Sequence, residues 1–217
     1  MTQQVLQTSA SPEIVVEQVG GDLRIHGWTE QMVTAQGDGA LFVNQEENLV
    51  HVRCEGDCTI HAPAQSSLRI ATVGGDGRIV GMQGRHFVGN VGGDLQMQRI
   101  GPTSVETVGG DLKVKRVDGD LSVQRVGGDA SVFDVFGDCR MDQVGDDLKV
   151  SGVMGNLEGT AGDGVSLRLS PTAEHHYRVT AGGNLTLPRA TAGGYHRAFG
   201  LWRRSENPQL GRPQRKR

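Results

Sequence analysis

Apolar residues recur along this chain with a nine-residue beat. From Val108 the sequence reads VGGDLKVKR, VDGDLSVQR, VGGDASVFD, VFGDCRMDQ, VGDDLKVSG and VMGNL, with valine heading every unit (Val108, Val117, Val126, Val135, Val144, Val153). Within a unit, apolar side chains take positions one, five and seven, as in Val117, Leu121 and Val123, and polar ones take six, eight and nine, as in Lys113, Lys115 and Arg116. Side chains of an extended chain alternate between faces, so one, five and seven point the same way and predict a core-facing stripe. Glycine at position three and Asp at four predict a corner, with the Asp side chain closing the turn on nearby N–H groups. Because nine is odd, successive units keep their faces only if the chain bends, and the glycine corner is the expected place.

One such unit cannot stand alone, because burying three side chains does not offset the ordering of nine backbone residues. Units must stack, and stacking makes a repeat architecture. Earlier in the chain the Gly-Asp pairs are about twice as far apart, at Gly37-Asp38, Gly56-Asp57, Gly75-Asp76 and Gly93-Asp94. That spacing predicts a two-sided coil of about 18 residues, with Asp76, Asp94, Asp111, Asp129 and Asp147 in one column and Arg85, Thr103, Asp120, Asp138 and Asn156 in the other. The step from Ile100 to Val108 is one residue short, and Gly101-Pro102 marks the irregularity. Recurrent glycine, valine enrichment and period-two alternation oppose helix. The expected fold is therefore all-β, a single-stranded parallel β-helix, or β-solenoid, built from nine-residue strand-plus-corner units.

The first unit, VGGDLRIHG, starts at Val19, after an entering strand EIVVEQ. Residues 1–12 lack periodicity and are expected to form a disordered leader. Past residue 158 the motif frays, but alternation at Val165, Leu167 and Leu169 and the echo AGGNL at 181–185 extend the solenoid domain over 13–200. Residues 201–217 carry six basic side chains against one acidic and two prolines, the pattern of a basic disordered tail.

Composition agrees with stacked thin stripes: 33 of the 217 residues are glycine and only 4% are aromatic. The net charge of −3 gives no basic field for nucleic acid. No signal peptide or apolar run long enough to span a membrane is readable, which predicts a cytoplasmic protein. Cys54, Cys58 and Cys139 are an odd set in core registers, so buried free thiols are expected. Calcium-binding nonapeptide rolls need G-G-x-G-x-D, and here Leu follows GGD directly, so the Asp residues are expected to close turns rather than hold metal. His175-His176 stand in an adjacent pair without companion ligands, and His26 and His61 fall at position eight, facing out. With no long insertions and few aromatics to line a sugar cleft, catalysis is not expected. No catalytic, cofactor-binding or metal-ligating residue is assigned, and no cofactor.

The units VGGDLRI, VGGDLQM, VGGDLKV and VDGDLSV and the later TAGGNLTLP resemble a bacterial adhesin-type family of β-strand-repeat (GD-repeat) domains over residues 13–200. That resemblance implies a β-solenoid without catalytic residues and an adhesive role. The chain is also similar to bactofilins, cytoplasmic β-helical polymers that stack end to end. Function is therefore expected to be a non-enzymatic binding or scaffold module, adhesin-like, with a self-assembling cytoskeletal scaffold as the alternative. Partners are expected to be proteins, or a second copy meeting through the solenoid's ends or faces.

Overall fold

The computed structural model describes residues 2–170 and 174–187 in full and the backbone of 203–204. Seven strands open the chain: β1 (Thr2–Gln7), β2 (Glu13–Val19), β3 (Leu23–Trp28), β4 (Met32–Gly37), β5 (Leu41–Glu46), β6 (Leu49–Cys54) and β7 (Cys58–Pro63). Twelve follow at regular intervals. They are β8 (Ser67–Val73), β9 (Gly77–Val80), β10 (His86–Val91), β11 (Leu95–Ile100), β12 (Thr103–Val108), β13 (Leu112–Val117), β14 (Leu121–Val126), β15 (Ala130–Val135), β16 (Cys139–Val144), β17 (Leu148–Val153), β18 (Leu157–Ala161) and β19 (Val165–Arg168). β20 (Tyr177–Ala181), β21 (Leu185–Thr186) and β22 (Arg203–Arg204) complete the set, and no helix occurs among the described residues.

The strands form two sheets of 11, and from β8 onward the chain alternates between them. Even-numbered strands of this region lie in one sheet and odd-numbered strands in the other, each parallel to the strand two before it. This is the two-sided β-solenoid, with partners such as Val105 and Val123 placed 18 residues apart by the register. Leu112, Val114, Val117, Leu121, Val123 and Val126 all point inward and are at most 1% exposed, whereas Lys113, Lys115 and Arg116 are exposed. Positions one, five and seven thus form continuous ladders between the sheets.

The odd step falls elsewhere than expected. From position one to position five the corner takes four residues and keeps parity; from seven to the next one it takes three and breaks it. In the odd-numbered sheet, Gln98 pairs with Lys115 and Ile100 with Val117, leaving Arg99 and Arg116 out of the ladder. Arg99, Arg116 and Asp134 sit there at φ of 53°, 62° and 59°, between Gly81 at 75° and Gly152 at 71°. A bulge at the end of each strand, repeated coil after coil, absorbs the extra residue and leaves positions eight and nine both facing solvent.

The coils are not stacked in chain order at the N-terminal end. β2 lies between β6 and β8, and β3 between β7 and β9, so the first coil is inserted between the second and the third. Residues 64–66 carry the chain past it, held by Ala64 N–H to Trp28 O at 2.9 Å and Gln83 N–H to Ala64 O at 2.6 Å. Beyond the second coil the direction reverses: β4 is antiparallel to β7, β1 to β4, and β5 to β6. Thr2–Gln7, expected to be a disordered leader, is therefore the outermost strand of one sheet. A leader without apolar period still forms a strand when an exposed sheet edge offers it backbone partners.

Thr103 is also placed differently. It pairs with His86 and Leu121, inside the coil, because the corner before it is one residue short. Pro102 takes the column position instead, with its carbonyl accepting the His86 N–H at 2.9 Å. At the other end, β21 adds only Leu185 and Thr186 to β19, and Arg203–Arg204 lie beside Thr180 and Ala181. The rest of the region 188–217, including most of the expected tail, lies outside the described residues.

Replacing Val123 by Asp places an unpaired charge between the sheets and should cost about 3–5 kcal/mol, enough to abolish cooperative folding in a marginal chain. Lys113→Asp should change stability by less than about 1 kcal/mol. Chemical denaturation of both variants checks the face assignment, and equal effects would refute it.

Candidate functional site

The Gly-Asp corners align into a column along one edge of the rod, and its connections run between coils. Asp111 N–H donates to Asp94 Oδ1 at 2.8 Å, Asp129 N–H to Asp111 Oδ1 at 2.9 Å and Asp147 N–H to Asp129 Oδ1 at 3.0 Å. The ladder continues toward the N-terminal end through Asp94 on Asp76, Asp76 on Asp22, Asp22 on Asp57 and Asp57 on Asp38. Asp22 stands between Asp57 and Asp76 because its coil is the inserted one. The following residue returns a bond to the Asp backbone: Leu95 N–H meets Asp111 O at 2.9 Å and Leu112 N–H meets Asp129 O at 2.8 Å.

The carboxylates were expected to close their own turns, and instead each serves the coil beside it. The corner N–H groups are already committed from coil to coil, as Gly110 to Gly93 O at 3.0 Å and Gly109 to Val91 O at 2.8 Å. What remains for each carboxylate is the N–H of the next Asp. A shorter second column runs along the opposite corner, where Asp138 N–H meets Asp120 Oδ1 at 2.9 Å, Asn156 N–H meets Asp138 Oδ1 and His176 N–H meets Asn156 Oδ1, both at 2.8 Å.

The glycines follow from this contact. A Cβ on Gly110 would overlap Asp94 Oδ1, and one on Gly127 would overlap the Gly109 carbonyl oxygen. The first obstacle is a side-chain atom that can yield, and Asp146 occupies the equivalent place while keeping its N–H on Gly128 O at 3.2 Å. The second obstacle is main chain. Glu55 fills a position-two site where the neighbour is the antiparallel cap, with Ala40 O accepting its N–H at 3.1 Å.

Beside the Asp column, on the outer face of the odd-numbered sheet, runs an open groove of about 710 Å³ reaching from Asp22 to Lys149. Its position-six side chains are Arg24, Arg78, Gln96, Lys113, Ser131 and Lys149. Arg24 pairs with Asp22 at 3.0 Å, Arg78 donates to Gln96 Oε1 at 2.8 Å, and the Lys149 ammonium lies over the Phe133 ring. A row of carboxylates thus stands beside a row in which four of six side chains are cations, Gln96 and Ser131 being neutral.

Toward the N-terminal end of this face, His26 and His61 stack with ring centroids 5.4 Å apart, and Trp28 tilts against His61. Partial burial, His61 and Arg78 together hold His26 below the usual histidine range. His175 and His176 lie in a bend before β20, not in a strand; His176 serves the second column through its backbone. The three cysteines are buried and unbridged, and burial pushes Cys58 and Cys139 up to about 12, with Cys54 adding to the effect on Cys58. Among the described residues, no three His, Cys, Asp or Glu side chains gather into a set that could hold a metal ion.

One residue passed over in the sequence is His86. It takes position five, a core site, directly in line with Leu68 and Thr103. Its Nε2 bonds Met82 O at 2.9 Å, while its Nδ1 and the buried Ser66 Oγ have no hydrogen-bond partner among the described residues. Counting five from Met82 would have placed His86 inside.

Fold and faces together define the class: a two-sided parallel β-solenoid with a carboxylate-to-backbone ladder. No protein-family model matches the chain, and no curated protein matches its sequence.

Asp111→Ala removes the acceptor for the Asp129 N–H and should cost about 1–3 kcal/mol. Asp111→Asn, which keeps an oxygen in place as Asn156 does, should retain most of the stability; urea unfolding of both reads the ladder. Gly127→Ala should cost a comparable amount by forcing coils apart.

Burial holds His86 below the ordinary histidine range, so below the pH at which a free histidine titrates the unfolded chain takes up a proton that the folded chain resists. Its contribution to stability is complete above that pH and declines as pH falls through the unfolded value toward the lower folded one. Unfolding free energies between about pH 7.5 and about pH 5 should therefore fall more steeply for the natural chain than for His86→Leu.

Proposed function

We propose that this chain is a non-enzymatic β-solenoid acting as a binding or scaffold module, adhesin-like in its architecture. The observation that carries the reading is the outer face of the odd-numbered sheet, where the groove from Asp22 to Lys149 is long, shallow and lined by a regular row of Asp beside Arg24, Arg78, Lys113 and Lys149. Such a surface suits an extended or flat partner, since small-molecule sites enclose most of their ligand in a concave pocket. The Asp column beside it has one carboxylate oxygen committed to a backbone N–H in each coil, which supports a structural role for these acids rather than proton transfer. The antiparallel cap at the N-terminal end supports a finite rod over the alternative of an open, bactofilin-like stack of coils, because it interrupts the parallel pattern. No helix among the described residues is long and apolar enough to cross a membrane.

The face is tested by charge reversal. Arrays of peptides and glycans probed with the natural chain and with Arg78→Glu/Lys113→Glu, two exposed substitutions, should show ligands bound by the first and lost by the second at equal melting temperature. Absence of ligands in both classes, or equal binding by the variant, would sink the reading.

A further inference from the structure

Among the described residues, the N-terminal end of the rod exposes one open strand edge in each sheet, β1 in one and β5 in the other. Hydrogen-bond parity shows which residues present themselves there. Thr8 N–H bonds Gln31 O at 3.0 Å, continuing the β1–β4 register in which Gln7 faces Met32. Backbone groups alternate sides along an antiparallel strand, so residues 4, 6 and 8 address β4, and Gln3, Val5 and Gln7 address the open edge. Likewise Glu55 N–H bonds Ala40 O, which turns Phe42, Asn44 and Glu46 toward β6 and leaves Leu41, Val43 and Gln45 on the open edge.

Two side-chain bonds relate the edges to each other. Gln4 Nε2 reaches Leu41 O at 3.5 Å and Gln45 Nε2 reaches Gln7 O at 3.1 Å. Both acceptors belong to the open-edge sets. The bonds also place β1 and β5 alongside each other running the same way, with Val5 across from the Phe42–Val43 pair. The centres of the two open edges therefore lie on one line through both sheets.

Neither edge carries the usual guards. β1 (TQQVLQ) has no charge and no proline, and the single charged residue of β5 (LFVNQE), Glu46, has its backbone turned to β6. Val5, the midpoint of the β1 edge, is 53% exposed.

From this geometry we infer that a second copy of the chain joins head to head at this end, about a twofold axis perpendicular to both sheets. A twofold normal to a sheet relates antiparallel strands, and one axis through Val5 and Val43 serves both edges together. β1 pairs with its copy about Val5, setting Gln3 opposite Gln7 and Gln4 opposite Leu6, so that inward residues meet inward ones. β5 pairs with its copy about Val43, setting Leu41 opposite Gln45. The side-chain amides of Gln4 and Gln45 give way to backbone donors, and both sheets run unbroken through the dimer. Assembly through this end stops at two, because the edge pairs with itself. The inference stands on the edges alone and is unaffected if the groove binds nothing.

Sedimentation of the full chain over a concentration series should give twice the 23.2 kDa chain mass. Val5→Lys/Phe42→Lys, which charges the solvent face of both open edges at exposed positions, should halve the mass with an unchanged circular dichroism spectrum and melting temperature. Val5→Pro provides a second route, since it removes an N–H that β4 does not use. A natural chain that stays monomeric or grows into filaments, or folded edge variants that remain dimeric, would overturn the proposal.

Discussion

A carboxylate oxygen in one coil accepting the backbone N–H of the next is the contact on which this rod depends. Corners are the weak points of any solenoid, because the chain leaves the sheet there and its polar groups lose ladder partners. Here the corner stays bonded: Asp111 receives Leu95 N–H on its carbonyl and Asp129 N–H on its side chain, so each Asp ties its coil to both neighbours. The bonds are charge-assisted and repeat at nearly constant length, from Asp57 on Asp38 to Gly164 on Asp147.

That contact selects the glycines as well. Coils drawn together by the ladder leave no space for a Cβ above a corner carbonyl, which is why position two is glycine along the parallel part of the column, as at Gly92, Gly109, Gly127 and Gly145. Conformational freedom is a lesser reason, since these glycines do not adopt positive φ. Positive φ recurs instead at Gly81, Arg99, Arg116, Asp134 and Gly152 in the strand-end bulge, where position nine turns outward and hands the next apolar residue back to the core.

The two ends and the faces share the consequences. A parallel stack offers the same face in every coil, which aligns Arg24, Arg78, Lys113 and Lys149 with the acidic column and makes a long charged face out of a short motif. The reversal of direction at β4 and β5 ends that repetition. It converts the end of a stack into two antiparallel edges whose open residues are centred on Val5 and Val43, and so gives this end a symmetry that the parallel body lacks.

The repeat and its faces were legible in the chain because they depend on local spacing. Positions one, five and seven point inward wherever nine residues recur, and Cys54, Cys58 and Cys139 followed the same arithmetic into the core. The column of Asp76, Asp94, Asp111, Asp129 and Asp147 was legible too, though not what it bonds, because the partner N–H belongs to a coil about 18 residues away. Thr103 was misplaced because a short corner shifted the count, and His86 was passed over although the regular count from Met82 puts it inside. The insertion of the first coil, the capping by β1, and the alignment of Val5 with Val43 had no local signature. Any strand can in principle pair with any edge of matching register, and only the assembled stack decides which edges remain open when β1 to β7 fold.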